Sequence, residues 1–141
     1  MTTINFYKST GIIDYFIKLF SRGKYCHCNI TINGITYEAI PFNKVRKFSL
    51  VVTDEIDSFS INLTPVQEQN LIKFYEKQLG KGYDYFSVIG FILYSNNRRK
   101  SGKWFCSELV ASGLFKVGCN VLKRVPAFKL SPVILSYSPL I

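Results

Sequence analysis

The sequence has little cysteine, few acidic residues, and one histidine, one tryptophan and one methionine in 141 residues. Four cysteines are too sparse for the disulfide framework of a small secreted domain, so we expect reduced thiols. The longest apolar stretch, 86–94, is about half of what spans a bilayer, which argues against a transmembrane helix. The start lacks a basic segment followed by an apolar run, so we expect a cytoplasmic, virion-associated or host-associated location.

The composition is that of a folded domain. Hydrophobic residues make up 48% of the chain and aromatic residues 16%, including nine tyrosines and twelve phenylalanines. This excludes an intrinsically disordered chain, a low-complexity chain and a coiled coil. The length suits one hydrophobic core, and no repeat or linker divides it. We therefore predict a single domain over residues 1–141.

The charge is strongly basic, with 18 Lys and Arg against 9 Asp and Glu, a formal net charge of +9. Basic runs stand at 44–47, 98–100 and 123–124. None lies in a recognisable nucleic-acid motif, and such runs usually form solvated faces, so a nucleic-acid partner is not favoured. A basic surface would also suit an anionic polymer or the acidic headgroups of a membrane surface.

The first half of the chain reads mainly as strands. Tyr25 to Ile32 is typical of a strand, Asn33-Gly34 is a strong two-residue hairpin turn, and 35–40 is the returning strand. A helix is predicted from the cap at Ser9-Thr10 to Gly23. Further short strands are expected at 4–7, 45–52 and 58–63.

Helices dominate the second half. Thr64-Pro65-Val66-Gln67 combines an N-cap, a proline at the first helical position and a capping-box glutamine. This helix is expected to stop at Gly80 or Gly82. We also predict a helix over 86–94 and a buried apolar helix that begins with the segment 104–111 and is closed by Gly118. The tail, 125–141, is expected to form extended segments and short turns. Strands followed by helices predict an α+β domain.

Cys106 and His27 are the candidates for chemistry. Cys106 stands at or near the start of the buried helix, where the dipole favours a thiolate and the N–H groups of Cys106 and Ser107 suit an oxyanion. Pairing Ile32 with Ile35 places Glu38 opposite Asn29, diagonal to His27 on the same face. Glu38 would then orient the imidazole as the third member of a triad.

Plainer interpretations compete with this site. A cysteine on an apolar helix more often packs than reacts. Cys26-His27-Cys28 suggests a metal, but successive side chains of a strand diverge and cannot share one ion, so no metal is predicted. Glu108 follows Cys106 by two positions and points elsewhere on the helix, where it favours the helix start or pairs with a cation.

Seven motifs follow one another along nearly the whole chain. They are Tyr25-Cys26-His27, Asn33-Gly34, Tyr37-Glu38-Ala39, Thr64-Pro65, Gly82-Tyr83-Asp84-Tyr85, Trp104-Phe105-Cys106-Ser107-Glu108-Leu109-Val110-Ala111 and Leu130-Ser131-Pro132. In this order the chain resembles the circularly permuted branch of the NlpC/p60 papain-like superfamily. That branch includes the YiiX-type amidases or peptidases and is related to lecithin retinol acyltransferase-like proteins.

The resemblance implies a papain-like fold, with a small antiparallel sheet packed against the helix that carries the catalytic cysteine. By motif position, Cys106 would be the nucleophile, His27 the base and Glu38 its orienting residue. Tyr83 would line the cleft, Asp84 would cap a helix, and no cofactor is implied. The predicted function is a cysteine-dependent amidase or peptidase acting on a peptide or on peptidoglycan. The alternatives are a lipid-ester hydrolase or acyltransferase, and a catalytically silent structural or nucleic-acid-associated protein, for instance part of a larger assembly.

Overall fold

A computed structural model describes residues 1–8, 23–41, 43–84, 102–122 and 125–140. The predicted helices between Ser9 and Gly23 and over 86–94 fall mainly outside these residues, as do the basic runs 98–100 and 123–124. The strands are β1 (Thr2–Lys8), β2 (Tyr25–Ile32), β3 (Ile35–Glu38), β4 (Arg46–Phe48) and β5 (Ile56–Ile61). The helices are α1 (Pro65–Glu76), α2 (Cys106–Lys116) and α3 (Pro132–Ser136), with a 3₁₀ turn at Ala127–Lys129. The described chain is therefore α+β, as predicted.

The five strands form one antiparallel sheet in the order β4-β3-β2-β1-β5. Ile32 pairs with Ile35 across the turn, and Asn33 and Gly34 both have positive φ, 50° and 83°. Positive φ at both central residues is the requirement of the tight hairpin turn that Asn-Gly favours. The predicted hairpin and its register are confirmed.

Four predicted strands have different bounds: β1 covers Thr2–Lys8 rather than 4–7, β3 ends at Glu38 rather than at residue 40, and β4 and β5 also differ. β4 covers only Arg46–Phe48 rather than 45–52, because β3 is four residues long and pairing ends where Phe48 meets Thr36. β5 begins at Ile56 rather than Ser58, because β1 is long enough to pair Tyr7 with Ile56.

The hydrophobic core lies between one face of the sheet and the helices, with α2 packed on β2 and on α1. The two helices are in close contact at Gly113, where an added Cβ atom would overlap the Tyr75 hydroxyl and lie 2.5 Å from its Cζ. The Tyr75 hydroxyl donates to the carbonyl of Val110 at 3.1 Å. Glycine therefore lets α1 press directly against the backbone of α2.

The helix ends also refine the sequence predictions. α1 has the predicted capping box but ends at Glu76, before Gly80. α2 begins at Cys106 rather than Trp104, because Trp104 is extended and bridges to Tyr83. The tail is not wholly extended, because Ser131 caps α3 by accepting a hydrogen bond from the Ile134 N–H. Among the described residues, no helix has the length and apolar character needed to cross a membrane.

Candidate active site

Cys106 is the first residue of α2, and its side chain is buried. Phe105 precedes it as N-cap and offers no side-chain hydrogen bond to the helix start. The first N–H groups of a helix have no partner within the helix and carry its positive partial charge. The fold therefore places Cys106 at the positive end of the dipole of a buried helix.

His27 lies on β2 and contacts both Glu38 and Cys106. Its Nε2 is 3.2 Å from Glu38 Oε2, and the ring also hydrogen-bonds with Cys106. Burial on its own would lower the pKa of His27, but hydrogen bonding with Cys106 and Glu38 raises this pKa to about 9. The imidazole is therefore protonated at neutral pH.

The Cys106 thiol has the opposite tendency. Burial on its own would raise its pKa, but hydrogen bonds from Cys28 and His27 hold the pKa of Cys106 well below its usual value. Cys28 remains a neutral donor because burial and the neighbouring Cys106 raise its own pKa. The two pKa shifts favour a thiolate on Cys106 and an imidazolium on His27, the reactive form of a nucleophilic cysteine.

The Cys28 backbone also contributes a hydrogen bond to Cys106. β2 and β3 pair only as far as Ile30 and Tyr37. Cys28 is two residues beyond Ile30, so its N–H points to the same side of β2, where β3 has left the ladder. The end of the β2–β3 pairing therefore supplies a backbone donor to the sulfur.

Glu38 is almost fully buried, and its two carboxylate oxygens have different partners. Oε2 accepts from His27 at 3.2 Å and from Asn29 Nδ2 at 3.3 Å. Oε1 accepts from Arg46 Nε at 2.7 Å and lies 2.6 Å from Arg46 Nη2. Burial favours the neutral acid, but these partners, His27 foremost, lower the pKa of Glu38. Glu38 is ionised beside the imidazolium that it supports.

A buried polar layer lies beyond Glu38 on the same face of the sheet. Asn29 donates to the Tyr7 hydroxyl at 2.8 Å and accepts from Asn5 at 2.8 Å. Asn5 in turn accepts from Ser58 at 2.8 Å. The Tyr7 ring lies 5.2 Å from the His27 ring. This network fixes Asn29, and through it the oxygen of Glu38 that faces His27.

The structure thus brings together the three predicted catalytic residues, Cys106, His27 and Glu38. Ser107 is fully buried and its hydroxyl donates to the Leu130 carbonyl, so its backbone N–H is the part that faces the helix start. Tyr83 is only 5% exposed and packs edge-on against Phe105, so it supports the residue before the nucleophile more than it lines an open cleft.

Sequence reasoning missed Cys28, Asn29 and Arg46 as members of the site. The run 44–47 has the pattern of a solvated face, yet Arg46 bonds Glu38 and Lys47 bonds Glu76 at 2.9 Å. The detectable signal is the opposite charge of Glu38 and Arg46 on neighbouring strands, which pair directly. Within the described ranges, no three His, Cys, Asp or Glu residues are grouped to hold a metal ion.

The four cysteines all lie within the described residues and are free thiols.

A comparison of the chain with models of protein families gives no match, and a comparison with curated proteins gives none either. Membership of the permuted NlpC/p60 superfamily therefore stays a prediction based on motifs, and the functional argument rests on the geometry of Cys106, His27 and Glu38.

Proposed function

We propose that the protein is a cysteine-dependent hydrolase of the amidase or peptidase type, with a papain-like arrangement of sheet and nucleophile-bearing helix. The observation that carries this proposal is the linked series of Glu38, His27 and Cys106 at the start of α2. Each member has a partner that stabilises the charge needed for thiol chemistry. A cysteine that only packed in the core would gain nothing from a protonated histidine and a buried carboxylate.

The reaction begins with attack of the Cys106 thiolate on the carbonyl carbon of the substrate. The carbonyl oxygen gains the negative charge, and N–H groups at the start of α2 stabilise it. His27 gives its proton to the leaving amine as the C–N bond breaks, which leaves a thioester on Cys106 and a neutral imidazole. Neutral His27 then takes a proton from water, whose oxygen attacks the thioester and releases the carboxylic acid. The proton on His27 restores the starting pair.

The substrate class is an amide of a peptide, including the stem peptide of peptidoglycan. A lipid ester would form the same thioester, and an acceptor other than water would make the enzyme an acyltransferase. These outcomes differ in their products, because hydrolysis releases a free acid whereas transfer yields a new amide or ester. Incubation with an acyl donor, with and without an added amine, separates them by mass spectrometry.

Thiol reactivity provides the test that needs no substrate. Cys119 is the matched control because it is more exposed than Cys106, while burial raises the pKa of its thiol. At pH 6.5 we expect iodoacetamide to alkylate Cys106 at least ~10-fold faster than Cys119, because a lower pKa gives more thiolate. His27→Ala should remove most of this advantage. Faster labelling of Cys119 than of Cys106 in the folded protein would contradict the proposal and favour a structural role.

A further inference from the structure

We propose that Arg46 is a positioning residue of the site, which keeps the Glu38 carboxylate in its charged form beneath His27. This inference rests on the proposed function, because the charge of Glu38 matters through the Cys106–His27 pair. Arg46 contacts the carboxylate rather than the nucleophile or the imidazole. It therefore acts on the chemistry through Glu38.

The pairing of β3 with β4 places Arg46 directly opposite Glu38. Both Nε and Nη2 of Arg46 contact the same oxygen, Oε1, at 2.7 and 2.6 Å. The other oxygen, Oε2, remains for His27 and Asn29 at the longer distances of 3.2 and 3.3 Å. The shortest contacts to the carboxylate therefore come from Arg46, and they leave the oxygen beside His27 available.

The burial of Glu38 explains why a fixed cation is needed. The Glu38 side chain is only 4% exposed, and a carboxyl group in such a setting favours its neutral form. Neutral Glu38 would no longer stabilise the His27 imidazolium. The guanidinium of arginine stays charged throughout the pH range in which proteins are folded. Arg46 is 49% exposed, with its guanidinium 5.2 Å from the Phe48 ring, so its own charge remains well solvated.

The remaining titratable groups around His27 and Glu38 do not replace this cation. Burial raises the pKa of Tyr7 on β1 and of Cys28 on β2, so both are neutral at neutral pH. Cys106 on α2 is the anion of the reactive pair. Among the described residues that contact Glu38, the cations are thus His27, whose charge changes during the reaction, and Arg46, whose charge does not.

Lys47 supplies a matched control. It is the next residue on β4, has the same 49% side-chain exposure as Arg46, and pairs with Glu76 instead of Glu38. Arg46→Gln and Lys47→Gln each remove one cation and one ion pair from the same strand. Arg46→Lys restores the charge but not the fork of donors.

The test follows the carboxyl carbon of Glu38 by NMR in protein labelled with ¹³C-glutamate, with Glu38→Gln identifying the resonance. In Arg46→Gln we expect its titration midpoint to rise by about 1 pH unit, since a nearby opposite charge lowers a carboxyl pKa by 1–3 units and partial exposure weakens the effect. In a plot of the Cys106 alkylation rate against pH, the fall in rate at acidic pH should shift to higher pH together with the Glu38 midpoint. Arg46→Lys and Lys47→Gln should keep both midpoints close to those of the unmodified protein.

An unchanged Glu38 midpoint in Arg46→Gln would overturn the inference. Equal shifts in Arg46→Lys and Arg46→Gln would overturn it too, because charge would then not be the property that matters. The proposed function is judged separately: if Cys106 in the unmodified protein is no more reactive than Cys119, that function fails, while the carboxyl titration still decides the role of Arg46.

Discussion

The two longest described helices begin in opposite ways. α1 starts at Thr64 with a complete capping box: the Thr64 hydroxyl accepts from the Gln67 N–H, and the Gln67 side chain accepts from the Thr64 N–H. α2 starts at Phe105, whose side chain offers no cap, and Cys106 follows at once. A capped start satisfies its own donors and serves stability. A helix start that has no side-chain cap and lies beside His27 has no side chain of its own N-cap residue over its first N–H groups, and the proposed chemistry uses such groups to stabilise an oxyanion.

Of the substitutions considered, loss of the Glu38 carboxylate should change the reactivity of Cys106 at the start of α2 the most. In Glu38→Gln, the His27 imidazolium loses its negative partner, so the pKa of His27 should fall and the thiolate fraction of Cys106 with it. We expect alkylation of Cys106 at pH 6.5 to slow by about 10-fold or more, because a pKa change of about one unit alters the ratio of charged to neutral forms tenfold. Glu76→Gln is the control. Like Glu38, Glu76 is a carboxylate that accepts hydrogen bonds from several side chains, in its case Lys47 and Tyr37, but it belongs to α1. Equal reactivity in the two variants would contradict the proposed role of Glu38.

A substitution at the contact between α1 and α2 should lower the stability of the fold without acting directly on Cys106 and His27. In Gly113→Ala, the new methyl group meets the Tyr75 ring, so α1 and α2 must separate or Tyr75 must move. We expect a loss of about 1–3 kcal/mol in the free energy of unfolding, the usual cost of overpacking a core. Urea denaturation measures it. Tyr75→Phe in the Gly113→Ala background should recover part of the loss, and no loss in the single variant would show that the helices are not in close contact there.

The smallest effect is expected at the capped helix start. Thr64→Ala removes the hydroxyl that accepts from Gln67 and should lower the free energy of unfolding by about 1 kcal/mol. The rate of Cys106 alkylation should not change, because α1 starts away from the pair. Thr64→Ser keeps the hydroxyl and serves as control. A large fall in Cys106 reactivity in Thr64→Ala would contradict the separation between a structural helix start and a chemical one.

The sequence predicted the α+β class, the hairpin and the meeting of His27 with Glu38, because these depend on local patterns. The Asn33-Gly34 turn sets the register of β2 and β3. Continued by one residue beyond the Ile30–Tyr37 pair, this register places Glu38 beside Asn29. Arg46 escaped prediction because the pairing of β3 with β4 depends on the path of the connecting residues 39–45, which has no comparable turn signal. Cys28 escaped because alternation puts it and His27 on opposite faces of β2. Only the packing of α2 shows that Cys106 reaches both.

The pH dependence of stability does not reveal the reactive pair. At neutral to mildly alkaline pH the unfolded chain keeps the proton of this pair mainly on the cysteine, whereas in the folded protein the raised pKa of His27 and the lowered pKa of Cys106 shift it towards the imidazole ring. The number of protons on the pair then changes little on unfolding, so the two pKa shifts contribute little to the slope of the unfolding free energy with pH in this range. A test of the pair must therefore follow the protonation of the His27 ring directly.

The chain is suited to that measurement because His27 is its single histidine, so the Cε1–H of the ring gives one unambiguously assigned NMR resonance. We expect this resonance to titrate with a midpoint of about 9 in the intact protein, and distinctly lower in Cys106→Ala, where the thiolate partner is gone. A midpoint near the ordinary value of 6.5 that does not respond to Cys106→Ala would contradict the thiolate–imidazolium pair and, with it, the proposed function.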